Sequence, residues 1–301
     1  MKNREFPIRL GVELTNRCNL ECTFCPRHLV DMKLGNMKWD LFQKIVDEAA
    51  KHIPIAMTLF FRGESLLHPE FFRMVRYAKQ NGIGPLQLAS NGFLLNEVTG
   101  DELLDAGVDF ISFSLDTINP EIYKKTRVHS DLSVAMDNVV KFAQKCQELK
   151  RQGQNVPELQ VSSVDIEEYK EDQEKFIEFW RQQVDRVRIY EEHSSDGKLG
   201  SVDQLRDDNM PRKPCQKLYN DFIIYWNGDV AICNHDWNRQ EYIGNVGDDS
   251  IQNIWTSNKY NEIRERHSVG EFPENDICKY CDHWRIDYLP SKMIGKLFVR
   301  E

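Results

Sequence analysis

Six short apolar runs alternate with five amphipathic segments across residues 8–190, and that alternation admits few folds. The strand-like runs are Ile8–Leu14, Ile55–Phe61, Leu86–Ser90, Phe110–Leu115, Leu159–Ser163 and Arg186–Tyr190. Helical periodicity fills the intervals at 38–52, 69–81, 98–106, 132–153 and 170–183. In the first of these, Phe42, Ile45, Val46 and Ala49 fall on one face. Strands that alternate with helices pair in parallel through right-handed crossovers. The count predicts an α/β fold, a partial TIM-like (β/α)6 barrel. In parallel barrels the chemistry gathers at the C-terminal ends of the strands. Cys18, Cys22 and Cys25 follow the first run, Glu64 the second, Ser90 and Asn91 close the third, and Asp116 follows the fourth. Glu191, Glu192 and His193 follow the sixth. These side chains are expected to face one cavity.

Cys18, Cys22 and Cys25 have the spacing C-x3-C-x2-C, with Pro26 next. Thiolates are soft ligands, and iron–sulfur clusters are held by cysteine. Three thiolates leave one iron of a [4Fe–4S] cluster without a protein ligand, and an open coordination position is where metal chemistry happens. Ferredoxin spacings use four cysteines, so this triplet is not built only to pass electrons. A second set, Cys215, Cys233, Cys278 and Cys281, lies beyond a polar, turn-rich stretch. Between its first two members a hairpin is signalled by Asn227-Gly228, flanked by Phe222–Trp226 and Asp229–Ile232. One helix is expected from Ile251 to His267. Four thiols suit an auxiliary iron–sulfur site or a structural zinc ribbon.

With Phe24 at the aromatic position, Cys18, Cys22 and Cys25 resemble the C-x3-C-x-φ-C signature of the radical S-adenosylmethionine (SAM) enzymes. The resemblance covers roughly residues 7–195. It implies a [4Fe–4S] cluster that chelates SAM and releases a 5′-deoxyadenosyl radical. Gly63-Glu64 resembles the family's Gly-Gly-Glu motif, with Arg62 in place of the first glycine. Glu64 would then accept the methionyl ammonium, a charge-assisted contact. Ser90-Asn91-Gly92 resembles the turn after the third strand, and Ser114 and Asp116 resemble the ribose motif on the fourth. Arg127, in Tyr123-Lys-Lys-Thr-Arg127, resembles the arginine that pairs with the SAM carboxylate, a role a planar guanidinium suits. Ser162 or Ser163 would add to the same pocket. The order Cys215-x17-Cys233, Ile243-Gly-Asn-Val246 and Cys278-x2-Cys281 resembles a SPASM/Twitch domain with one auxiliary cluster. The implied organisation is a radical SAM core at 1–195, a linker at 196–213 and the auxiliary [4Fe–4S] domain at 214–301. The implied cofactors are SAM and two [4Fe–4S] clusters, with a flavodoxin or ferredoxin-type electron donor.

A net charge of −9 argues against a general nucleic-acid binder. No apolar run approaches the ~20 residues that span a bilayer, and Met1–Pro7 has no signal-peptide core. Clustered cysteines without an export signal point to a reducing cytoplasm. The layout resembles that of radical SAM dehydrogenases of aminocyclitol antibiotic biosynthesis. The implied activity is oxidation of a hydroxyl on a cyclitol, aminocyclitol or sugar to a ketone. His193 or Glu191 would take the proton. A peptide maturase is the alternative, although only Met1–Pro7 precede the first strand and leave no room for a leader-binding domain. A radical epimerase would need a hydrogen-donating thiol. Cys146 is the candidate, but its spacing with Val139, Phe142 and Ala143 predicts a core residue.

Overall fold

The computed structural model describes residues 4–191, 211–237, 239, 241–274, 276–279, 281, 283–288 and 296–300. From the N-terminus the elements run β1 (Arg9–Val12), β2 (Glu21–Cys22), α1 (Trp39–Ala49), β3 (Ala56–Thr58), α2 (Phe71–Gln80) and β4 (Leu86–Ser90). They continue with α3 (Glu97–Ala106), β5 (Phe110–Ser114), α4 (Pro120–Thr126), β6 (Arg127–Val128), α5 (Leu132–Arg151), β7 (Glu158–Asp165), α6 (Gln173–Arg181) and β8 (Arg186–Glu191). The C-terminal part adds α7 (Lys217–Asn220), β9 (Asp221–Ile224), β10 (Val230–Ala231), α8 (Ile251–Thr256), α9 (Asn258–Val269) and β11 (Lys296–Val299).

All six expected strands are present, and β1, β3, β4, β5, β7 and β8 pair in parallel in that order. Side-chain alternation separates the two faces of this sheet. Leu86 and Leu88 of β4 are buried in the core with Met74, Ala78 and Leu103 of the neighbouring helices. Gln87 and Ala89 point the other way and line interior pockets. Gly11 and Thr58 share that inner face. Small and polar residues there leave the barrel with usable space instead of a filled centre. Helix starts follow local capping chemistry: Asn96 Oδ1 accepts from Thr99 N at 2.9 Å, and Asp131 Oδ1 accepts from Ser133 N at 2.8 Å.

The C-terminal part is grafted onto the same sheet. Among the described residues nine strands form it, in the order β10-β9-β1-β3-β4-β5-β7-β8-β11. β9 runs parallel to β1 from Arg9↔Asp221 to Val12↔Ile224, and Arg9 forks onto Asp221 at 2.7 and 2.9 Å. β11 pairs antiparallel with β8 at the opposite edge. Glu48 of α1 caps α8, accepting from Ile251 N and Gln252 N at 2.9 Å each. Phe222 packs against Trp255 and Tyr260.

Three features differ from the sequence reading. The single helix expected over 251–267 is two helices, because Ser257 takes an extended ψ of 154° and its hydroxyl accepts from Tyr260 N at 3.2 Å, starting a second helix. α4 had no counterpart, although Asn119 caps it and Pro120 opens it. The C-terminal segment, for which no strand was expected, supplies strand β11. No helix among the described residues is long and apolar enough to cross a membrane.

Because β9 lies inside the main sheet, both parts should unfold in one cooperative transition. Phe222→Ala removes a fully buried ring and should cost about 3–5 kcal/mol. Denaturant melts followed by circular dichroism and by tryptophan fluorescence should shift together.

Candidate active site

The chain leaves β1 through two side-chain clamps. Thr15 Oγ1 donates to Gly35 O at 3.0 Å, and Asn16 Nδ2 donates to Lys33 O at 2.9 Å. The thiol loop then docks on a two-stranded ladder in which β2 opposes β6, with Cys22 facing Arg127. Thr23 N donates to Thr126 O at 2.9 Å, and Arg127 Nη1 lies 3.9 Å from Cys22 Sγ. Burial raises all three thiol pKa values, that of Cys22 to about 11, while the Arg127 cation acts in the opposite direction.

Gly63 and Glu64 follow β3. A Cβ at Gly63 would stand 2.5 Å from the carbonyl oxygens of both Thr15 and Arg17, which are backbone and cannot yield. No side chain fits this position. Glu64 is 3% exposed. Its Oε2 accepts from Asn91 N at 2.9 Å and its Oε1 from Leu66 N at 3.2 Å. Burial raises its pKa, and these neutral donors only partly offset the shift. A buried carboxylate held by neutral donors is suited to receive a cation.

The Ser90-Asn91-Gly92 turn is built for support. Asn91 Nδ2 donates to Asn19 Oδ1 at 2.9 Å, tying β4 to the thiol loop, while Asn91 Oδ1 accepts from Phe93 N at 3.0 Å. Gly92 has φ 73°, where a side chain would be strained. Cys18, Cys22, Cys25, Phe24, Gly63 and Glu64 line one pocket of about 210 Å3. Arg62, Ser90, Asn91, Ser114 and Arg127 also line it.

Asp116 and Arg127, expected to hold different parts of SAM, hold each other. Arg127 Nε donates to Asp116 Oδ2 at 2.5 Å, and Asp116 Oδ1 accepts from Val164 N at 3.1 Å. Asp116 is 2% exposed and sits at φ 63°, a left-handed conformation rare for a residue with a side chain. It does not line the pocket and reaches it through Arg127. Ser162 and Ser163 are buried but line neither this pocket nor the neighbouring cavity.

Next to this pocket lies a cavity of about 640 Å3, and Phe24, Phe60, Phe61 and Trp237 line both spaces. Glu192 and His193 lie outside the described residues, as does the side chain of Glu191, whose backbone ends β8. Cys146 is buried in the hydrophobic core, with its thiol pushed up to about 12 by burial, and lines neither space.

The second thiol set gathers from three loops, around Cys215 before α7, Cys233 after β10, and Cys278 with Cys281 after α9. Burial raises the Cys278 pKa well above its ordinary value, and the charges of Cys233, Cys281 and Cys215 add to the rise. The four thiols thus act on one another electrostatically. Arg212 supplies an opposing cation. It donates from Nη1 to Cys281 O at 2.7 Å, and its guanidinium lies 4.7 Å from the Phe272 ring. The sequence reading had placed this residue in a linker; nothing local distinguishes it from a surface arginine. Among the described residues no three Cys, His, Asp or Glu groups converge tightly enough for a single metal ion. A cubane cluster spreads its thiolates wider than one tetrahedral ion does. Three thiols beside a cation-accepting carboxylate, and four beside a half-buried arginine, fit a SAM-chelating cluster and an all-cysteine cluster respectively.

The comparisons agree. Residues 12–155 match the radical SAM superfamily, and residues 215–282 match SPASM, an iron–sulfur cluster-binding domain. The chain is a radical SAM enzyme with a C-terminal SPASM domain, and these domains imply SAM and two [4Fe–4S] clusters. A Pyrococcus furiosus relative, named tungsten-containing aldehyde ferredoxin oxidoreductase cofactor-modifying protein, is 29% identical over 299 residues, covering 85% of this chain and 82% of its own. The structure of BtrN in complex with AdoMet and 2-DOIA superposes with a TM-score of 0.61 at 19% identity, covering 93% of this chain and 94% of BtrN. Streptococcus suis SuiB bound to precursor peptide SuiA gives a TM-score of 0.71 at 14% identity, covering 94% and 71%. At such identities the two structures speak for the fold.

Gly63→Ala should weaken SAM binding by about tenfold or more, as read by calorimetry. Glu64 holds an ammonium only when ionised, and its pKa is raised. SAM affinity should therefore fall with decreasing pH at a higher pH than an ordinary carboxylate would impose, and Glu64→Gln should flatten that profile. After anaerobic reconstitution, Cys18/Cys22/Cys25→Ala should keep about half of the wild-type iron, with a [4Fe–4S] signal in EPR.

Proposed function

We propose that the enzyme oxidises a hydroxyl of a small polyhydroxylated molecule, such as a cyclitol, aminocyclitol or sugar, to a ketone. The observation that carries this reading is the position of the larger cavity. Phe24 and Pro26, which flank Cys25, form one part of its wall. Asn234 and His235, which follow Cys233, form another, with Lys217 two residues after Cys215. A molecule held there touches both thiol loops. The volume, about 640 Å3, is that of a small-molecule site. When bound, SAM and its cluster would supply the hydrogen-atom acceptor, and the second cluster the electron acceptor, that together turn CH–OH into C=O.

The chain's own residues bind, orient and exclude water. Phe24, Phe60, Phe61 and Trp237 give the boundary between pocket and cavity an aromatic lining. Thr58, Gln87 and Tyr190 offer neutral hydroxyl and amide groups to the cavity, suited to a polyol. Gln160 orients Tyr190 by donating to its hydroxyl at 3.2 Å and is itself held by donating to Ser112 Oγ at 2.8 Å. We place proton removal from the hydroxyl on Glu191, the last residue of β8, or on His193. The name of the Pyrococcus relative, which specifies a cofactor as what is modified, supports a small molecule as the substrate class.

The test is a panel of cyclitols, aminocyclitols and sugars deuterated at the carbinol carbon, incubated with reconstituted enzyme and SAM. The expected result is deuterium in 5′-deoxyadenosine and a product lighter by two hydrogens than the unlabelled substrate. A product of unchanged mass would replace oxidation with epimerisation.

A further inference from the structure

Arg62 stands where the Gly-Gly-Glu pattern has its first glycine, and the structure shows what the guanidinium does there. It is 8% exposed and precedes the Gly63-Glu64 corner directly. It forks onto Glu13, one residue past β1, with Nε donating to Oε2 at 2.6 Å and Nη2 to Oε1 at 2.8 Å. Glu13 is fully buried, and its Oε1 also accepts from Trp226 N at 3.3 Å. The third nitrogen, Nη1, donates to the carbonyl oxygen of Trp237 at 2.8 Å. The guanidinium carbon lies 3.9 Å from the centre of the Tyr225 ring. Tyr225 in turn donates its hydroxyl to the carbonyl of Asp236.

One side chain thus reaches three places: the end of the first barrel strand, the turn after β9, and the loop that runs from Cys233 to Trp237. Within that loop short-range hydrogen bonds shape the chain, and Lys217 Nζ donates to Asn234 Oδ1 at 2.8 Å from outside it. Asp236 N donates to Cys233 O at 3.1 Å, and Ile232 N donates to Asp236 Oδ2 at 3.2 Å. Its tie to the SAM side runs through Arg62 and through Phe61, whose ring packs 5.9 Å from that of Trp237. A buried ion pair costs much desolvation and is retained where its hydrogen bonds are complete. Here both carboxylate oxygens and all three guanidinium nitrogens are used. A lysine would keep the charge but could not form the fork, reach Trp237 and stack on Tyr225 together.

We propose that Arg62 is a positioning residue. It holds the Cys233 loop and Trp237 at a set distance from the Gly63-Glu64 corner, so that the electron-accepting side stays in register with the SAM pocket. The proposal does not depend on which substrate the cavity takes.

The test uses the anaerobically reconstituted full chain in two variants, Arg62→Lys and the double variant Glu13→Gln/Arg62→Met. The second removes both charges and guards against misfolding from a lone buried carboxylate. Hydrogen–deuterium exchange and EPR of the reduced protein are the readouts, and neither needs a substrate. Amides of Ile232, Asp236 and Trp237 should exchange about tenfold faster or more, with those of α5 unchanged. The signal of the second cluster should broaden or shift. Exchange and spectra like wild type in either folded variant would overturn the proposal. So would weakened SAM binding with exchange of the loop unchanged, which would make Arg62 a SAM contact and not a positioning residue. A failed deuterium-transfer assay would leave these results untouched and would sink only the oxidation reading.

Discussion

The parallel pairing of β9 with β1 is the constraint on which the rest depends. Four residue pairs, closed at one end by the Arg9–Asp221 fork, set the height of the hairpin against the barrel. A shift of one residue would turn Phe222 away from Trp255 and Tyr260 and expose a fully buried ring. β10 then turns back antiparallel to β9, so the chain heads for the Arg9–Asp221 end of the ladder before it reaches Cys233, whereas the thiol loop leaves β1 at the Val12 end. Residues beside the two thiol sets, Phe24 and Pro26 in one and Asn234 and His235 in the other, line one cavity, because this ladder joins the two parts in one sheet.

The buried charges divide into two kinds. Glu13 and Asp116 each have an arginine, so each pair is neutral and satisfied. Glu64 is equally buried but has only neutral donors in hydrogen-bonding contact. Of these three carboxylates, Glu64 alone lines the thiol pocket, and it has no arginine in hydrogen-bonding contact. Asp116 shows the cost of such organisation, since it is held in a left-handed backbone conformation that its bonds to Arg127 and Val164 stabilise.

Much of this was legible in the sequence, because the signals are local. The six strands are contiguous apolar runs, and the helices carry their buried faces in 3.6-residue periodicity, so element type followed directly. Glu64, Ser90, Asn91 and Ser114, which line the thiol pocket, sit at or just after strand ends, which the alternation alone locates. What was missed is long-range or very short. β2 and β6 are two residues each and exist because they face one another. The β9–β1 and β11–β8 ladders join segments far apart in the chain, and no local pattern encodes a partner. The Asp116–Arg127 pair was hidden because each residue had been assigned a separate part of SAM. Arg62 looked like a departure from a motif because its partners, Glu13 and Trp237, lie 49 and 175 positions away. The break at Ser257 was readable in principle, since serine is a strong helix-capping residue.

The strand order has a consequence for biosynthesis. Both margins of the nine-stranded sheet are formed by late segments, β9 and β10 on one side and β11 on the other. Until β9 and β11 have been made, β1 and β8 present bare hydrogen-bonding edges, which invite mispairing with other chains. The order in which the chain is made thus leaves both margins of the sheet open until these later segments close them.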